Sequence, residues 1–248
     1  MCQQCDVKDK LPDNAASKRD FLKTMSGAGL GLAGLSMSRA FAADEKPLPK
    51  PENVLTPDAA LERLLAGNQR YVSGNSQPFD FMQDRAALVG GQNPYAAIVS
   101  CADARVVPEL CFDEKRGDLF VARVAGNYIS PDILASLEYG ALVLKTPLIM
   151  VLGHQSCGAV IAAISAVEKH QQYPGHIQTV TTAIAPAVRA ARKEQGDKTD
   201  NVIRQNVKLN VERLEHAAPI IGKLVAEKKL RIVGGVYNLA TGRVDMLA

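Results

Sequence analysis

Three short, mostly apolar runs, Ala96 to Ser100, Leu119 to Val124 and Leu148 to Leu152, constrain this chain more than any other feature. Each has strand length, carries β-branched residues and is bounded by polar or Gly/Pro punctuation. A half-exposed strand alternates apolar with polar; an unbroken run suits a strand covered on both faces, as in a parallel sheet. Helical stretches lie between and after these runs. Ser130 to Leu144 has a capping serine with Pro131 at its first position, and residues 178–194 and 200–229 read as further helices. Arg231 to Tyr237 reads as a closing strand, and Tyr237 to Gly242 carries turn chemistry. This alternation predicts an α/β fold: an open, mostly parallel central sheet flanked by helices, spanning residues 57–248 as one domain. Ligands in such sheets bind beyond the carboxyl ends of the strands.

A helix is predicted to open that domain. Thr56 can cap it, Pro57 fits its first position, and Asp58 suits the positive N-terminal end. Leu61, Leu64, Leu65 and Val72 recur at helical spacing and form an apolar stripe that needs a partner. Residues 43–56 read as an extended linker, since the stretch from Lys46 through Pro57 contains four prolines.

Residues 1–42 read as an export signal. Ser17-Lys18-Arg19-Asp20-Phe21-Leu22-Lys23 supplies the charged start, Met25 to Met37 the weakly apolar middle, and Ala40-Phe41-Ala42 a small-residue cleavage pattern. The order resembles a twin-arginine signal with Lys18 in place of the first arginine. The middle is too short and glycine-rich for a membrane span. Gly29 to Gly34 spells a dinucleotide-binding fingerprint, but no strand precedes it and a cleavage site follows, so its glycines belong to the signal. Cys2 and Cys5 form a lone C-x-x-C, half a structural zinc site at most. They leave with the signal if cleavage follows Ala42.

The net charge of +3 has no concentrated basic face behind it, because six Lys/Arg against four Asp/Glu in residues 1–42 leave about +1 for the rest. Nucleic-acid binding is not expected. Five widely spaced cysteines are no disulfide framework, so each is judged by its neighbours.

Two strand-end clusters carry the chemistry. The first run ends in Cys101-Ala102-Asp103-Ala104-Arg105, and the third in Gly153-His154-Gln155-Ser156-Cys157-Gly158. If both runs are parallel strands of one sheet, Cys101, His154 and Cys157 converge at one edge. Two thiolates and an imidazole are ligands that zinc accepts, and three protein ligands leave a fourth position open for catalysis. The thiolates cancel the formal charge of Zn²⁺, so a further group should help to manage the proton of a bound water. Asp103 and Arg105 are the candidates. Alternation along an extended segment places 101, 103 and 105 on one side. The carboxylate could accept a hydrogen bond from that water or bind the metal itself, while Arg105 keeps it ionised. Any one of these residues could be an ordinary buried group; five together in two clusters point to a site. Cys111 lacks such company and is left as a core or surface thiol.

These clusters closely resemble the two signatures of β-class carbonic anhydrases. Similarity extends to Gly117–Asn127, Ser136–Tyr139, Asn206-Val207 and Val233–Tyr237, over roughly residues 57–248. The resemblance implies a zinc enzyme that hydrates carbon dioxide to bicarbonate and a proton, with one zinc per chain held by Cys101, His154 and Cys157. Asp103 and Arg105 would be its catalytic pair, and Asp103 would replace water on the metal in an inactive closed form of some members. By matching positions, Gln92 would donate to substrate from the neighbouring subunit, and Phe120 and Gly158 would line the pocket. A homodimer or larger assembly is implied, with the N-terminal helix lying across the partner. The chain departs from the family in two places. It has no tryptophan, and Ile98 stands where one regulatory subgroup uses Trp in a non-catalytic bicarbonate site, so that site is expected to be absent. Ala102 and Ala104 replace frequent serines, neither of them a ligand.

Rival readings are a carbon disulfide or carbonyl sulfide hydrolase of the same fold, a non-catalytic zinc protein, and thiol redox chemistry through Cys101 and Cys157. An exported site with two ligand thiols also risks oxidation before it captures zinc. Export of the folded, loaded protein into the periplasm removes that conflict.

Overall fold

The computed structural model describes residues 49–247; the export signal, Cys2, Cys5 and the glycine-rich stretch lie outside them. The three apolar runs and the closing segment are strands: β1 (Ala96–Ser100), β2 (Leu119–Arg123), β3 (Leu148–His154) and β4 (Arg231–Tyr237). A fifth, β5 (Val244–Leu247), follows the predicted turn, in which Asn238 Oδ1 accepts from the amides of Ala240 and Thr241. The sheet order is β2-β1-β3-β4-β5, parallel throughout except for β5 against β4. β1 and β3 are buried along their whole length, which is why their sequences do not alternate.

Helices cover both faces. On one side lie α1 (Pro57–Val72) and the short α3 (Pro108–Cys111); α2 (Phe81–Ala87) precedes β1. Thr56 Oγ1 accepts from the Ala59 amide at 3.2 Å and caps α1 as predicted. Ala60 and Leu64 are fully buried in a core shared with Ile98, Met150 and Leu152, so part of the apolar stripe is covered within the chain, while Val72 stays exposed. The opposite face carries α4 (Pro131–Leu142), α5 (Gly158–Glu168), α6 (Ile177–Ala190), α7 (Lys198–Glu215) and α8 (Ile221–Ala226). The single helix expected over residues 200–229 is two helices, because Pro219 lacks an amide proton and disfavours helix at Ala218. Among the described residues no helix is long and apolar enough to cross a membrane.

The described part of the linker is tied to the domain. Lys50 is buried with its ammonium 2.6 Å from Asp118, and Asn53 donates to the Asn93 carbonyl and to Asp118. Arg63 pairs with Glu114 at 2.8 Å and lies within 3.3 Å of Asp118, while the Tyr95 hydroxyl donates to Glu114 at 2.8 Å. Charges taken out of water need such partners.

Candidate metal centre

Parallel pairing of β1 with β3 sets Ser100 beside Leu152, so the segments that follow leave the sheet at one edge. β3 runs two residues beyond its apolar run: Gly153 and His154 still pair with Val236 and Tyr237 of β4. Gly153 is required there, because a Cβ would lie 2.7 Å from the Val207 side chain of α7. Ser156 then takes a left-handed backbone (φ 53°) and turns the chain so that Cys157 becomes the N-terminal cap residue of α5.

Cys101, His154 and Cys157 meet, with their ligand atoms all within 4.8 Å of one another. The two sulfurs are 4.0 Å apart and both cysteines are free. A disulfide needs about 2.05 Å. Two sulfurs at ~2.3 Å from one tetrahedral zinc would be separated by about 3.7 Å, close to what is found. His154 Nδ1 is 2.8 Å from the Gln155 carbonyl, which can only accept, so Nδ1 carries the proton and Nε2 is a free acceptor. Nε2 is fully buried and has no hydrogen-bond partner. An orphaned imidazole nitrogen beside two buried thiols fits zinc and does not fit a hard oxygen-seeking cation. The thiols share the same logic. The Cys157 thiol and the Gly126 amide favour a thiolate at Cys101 and pull its pKa down against burial, and that thiolate, with burial, pushes Cys157 up. A metal that binds both replaces the second proton.

Asp103 and Arg105 pair beside this cluster, though not by strand alternation. Residues 104 and 105 form a turn in which the Val106 amide donates to the Asp103 carbonyl and Asp103 Oδ1 accepts from the Arg105 amide at 3.0 Å. The Arg105 guanidinium grips the carboxylate with two bonds of 2.9 and 2.8 Å. That contact holds Asp103 well below the usual carboxylate range. Asp103 Oδ2 lies 3.9 Å from His154 Nε2, so of the four residues named as ligands three converge and the fourth borders them.

Phe120 is half-buried on β2 against the core that contains Cys101 and Cys157. Gly158 is exposed at the start of α5, with nothing within 4 Å of where its Cβ would be. Gln92 is exposed and precedes β1, whereas Cys101 follows it. The two are at opposite sheet edges within one chain. Cys111 is a core thiol, only 2% exposed, and burial pushes it up to about 11.

Two contributors escaped the sequence reading. Arg123 closes β2 and donates to the carbonyls of Cys101 (3.0 Å) and Asp103 (2.7 Å), bracing the ligand segment. The lone charge ending an apolar run was its signal. The Gly126 amide donates to Cys101 Sγ at 3.2 Å, and a backbone donor leaves no signal in a sequence.

A family model described as carbonic anhydrase matches residues 96–244. Carbonic anhydrase 2 of Mycobacterium tuberculosis is 40% identical over 188 residues, covering 75% of this chain and 91% of the relative. The carbonic anhydrase of Pseudomonas aeruginosa is 31% identical over 169 residues, covering 65% and 76%. Among solved structures, the β-carbonic anhydrase CcaA matches with a TM-score of 0.60 at 25% identity, covering 76% of this chain and 98% of that one. The Coccomyxa β-carbonic anhydrase in complex with acetazolamide gives 0.58 at 27%, covering 77% and 82%. With the fold, the Cys-His-Cys cluster and these similarities in agreement, the chain belongs to the β class of the carbonic anhydrases, which are zinc enzymes.

Proposed function

We propose that Cys101, His154 and Cys157 hold one zinc per chain and that Asp103 and Arg105 act with it to hydrate carbon dioxide to bicarbonate and a proton, reversibly. The observation that carries this reading is the orphaned Nε2 of His154 within 4.8 Å of two buried thiols, beside an arginine-clamped carboxylate. Zinc bound there supplies the Lewis acidity that makes a water nucleophilic near neutral pH. The remaining work falls to the chain. A carboxylate accepts hydrogen bonds and cannot donate. Ionised Asp103 therefore accepts a hydrogen bond from the reacting water, without taking its proton, and so turns an oxygen lone pair toward the carbon of CO₂. Arg105, exposed at 55% of its side chain, fixes that carboxylate in orientation and charge. The proton released as water becomes the third oxygen of bicarbonate passes to solvent from the same exposed side. Phe120 gives an apolar wall suited to a molecule without a dipole, and Gly158 keeps space open beside Cys157. Gln92 serves a neighbouring subunit, in keeping with its place at the far sheet edge.

The same reading makes the protein a homodimer or larger assembly, with the exposed end of the α1 stripe against a partner; the solved relatives include two tetrameric enzymes of Sordaria macrospora. It also makes residues 1–42 a signal that exports the folded, zinc-loaded chain. Replacing that leader with one that exports unfolded chains should lower zinc content, and equal loading by both routes would refute the export route.

The test of function is stopped-flow CO₂ hydration by the zinc-loaded chain, run beside sulfide release from carbon disulfide and carbonyl sulfide. Hydration abolished in Cys157→Ala, with no sulfide release, supports the proposal. Bound zinc without hydration up to alkaline pH, or sulfide release in its place, overturns it.

A further inference from the structure

Asn206 and Asn210 occupy the buried side of α7, one helical turn apart, where the neighbouring buried positions are Val202, Ile203, Val207 and Leu214. Asparagine is a poor helix former, and burying its amide is costly unless every polar atom finds a partner. Both amides are spent on one loop. Asn206 Nδ2 donates to the Gly126 carbonyl at 2.9 Å, and Asn210 Oδ1 accepts from the Ile129 amide at 2.8 Å. Asn210 Nδ2 donates in turn to the Asn206 backbone carbonyl at 2.7 Å, so the pair braces itself.

That loop faces the metal centre. Gly126 and Asn127 both have left-handed backbones (φ 80° and 42°), and the turn they make points the Gly126 amide at Cys101 Sγ. A Cβ on Gly126 would lie 2.5 Å from Ile184 of α6, so the loop is wedged between α6 and the α7 asparagines. An amide hydrogen bonded to a thiolate draws charge from the sulfur, which then donates less to a metal. Two anionic ligands otherwise blunt the metal's Lewis acidity, and groups beyond the ligands commonly set affinity and reactivity.

We infer that Asn206 and Asn210 are positioning residues for the reaction, aiming the Gly126 amide at Cys101 so that this thiolate donates less charge to zinc. The inference rests on Cys101 being a zinc ligand.

Cobalt(II) in place of zinc gives a thiolate-to-metal charge-transfer band that reports sulfur donation directly. In Asn206→Ala the band should move to lower energy, because a thiolate freed of that hydrogen bond donates more. Asn210→Asp keeps the acceptor for Ile129 and loses the brace, so it should give a smaller shift of the same sign; it stands in if Asn206→Ala does not fold. Asn68→Ala is the control for merely structural damage. That buried amide bonds the Cys111 and Gly242 carbonyls on the other face, and its loss should lower stability without moving the band. An unmoved band in the folded Asn206 variant, or an equal shift in Asn68→Ala, overturns the inference alone. A band that keeps its full intensity in Cys101→Ala overturns the ligand assignment itself.

Discussion

Two polar clusters are buried in this protein, and they differ in what is left over. Under the amino ends of β1 and β2, Lys50, Asn53, Arg63, Tyr95, Glu114 and Asp118 pair among themselves through bonds mostly between 2.6 and 3.3 Å. At the carboxyl ends of β1 and β3, two thiols and an imidazole are gathered with equal care, yet His154 Nε2 has no hydrogen-bond partner. Ser100 Oγ and Asn127 Nδ2, on segments flanking the same site, are also buried without partners. A buried polar group left unpaired is expensive, and for an imidazole nitrogen beside two buried thiols a metal is the partner that fits. The first cluster is structural and the second is chemical. Variants at the two should therefore separate cleanly.

The largest effect should come from His154→Ala, which removes the only neutral ligand: zinc content should fall and hydration drop by at least about a thousandfold, with the fold retained. Asp118→Ala should do the reverse. It strands Lys50 without its carboxylate and should cost about 3 kcal/mol or more in urea unfolding, while zinc per folded chain stays the same. A zinc loss in that variant would break the distinction. Asp103→Asn should keep its zinc and lose about a hundredfold in hydration, because the neutral amide keeps one accepting oxygen where Arg105 already grips two and presents N–H donors in place of the other.

The pH dependence sharpens the contrast. Burial pushes the Asp118 carboxyl up, but the bonds from Lys50 and Asn53 outweigh it and hold the group below its ordinary value. A depressed carboxylate contributes stability that is complete above its unfolded pKa, near ~3.9, and is lost as pH falls through the folded value. Unfolding midpoints between acid and neutral pH should fall on the acid side in the native chain and fall less steeply in Asp118→Asn. The smallest effect is expected from Arg123→Ala, which frees the Cys101 and Asp103 carbonyls and should slow hydration by about tenfold without loss of zinc.

Most of the sheet was legible because strands covered on both faces must be apolar throughout, as in Ala96–Ser100 and Leu148–Leu152. β5 was not, since Val244-Asp245-Met246-Leu247 is short and mixed and follows a turn that shows only where the chain reverses. α5 escaped for a chemical reason: its cap position is held by Cys157, so the usual Ser, Thr or Asp signal is missing. The ligands could be read because zinc chemistry restricts them to a few residue types at strand ends. Asp103 and Arg105 were singled out by type, but their pairing comes from a turn and not from an extended segment. Arg123, the Gly126 amide and the α7 asparagines act through backbone atoms, which a sequence does not display.

The most direct test of the central claim is zinc stoichiometry and CO₂ hydration measured on one preparation before chelation, after it and after zinc is restored. A catalytic zinc held by Cys101, His154 and Cys157 requires about one zinc per chain, hydration that vanishes with the metal and returns with it, and neither property in His154→Ala. Hydration that survives complete zinc removal, or full zinc occupancy in His154→Ala, would contradict it.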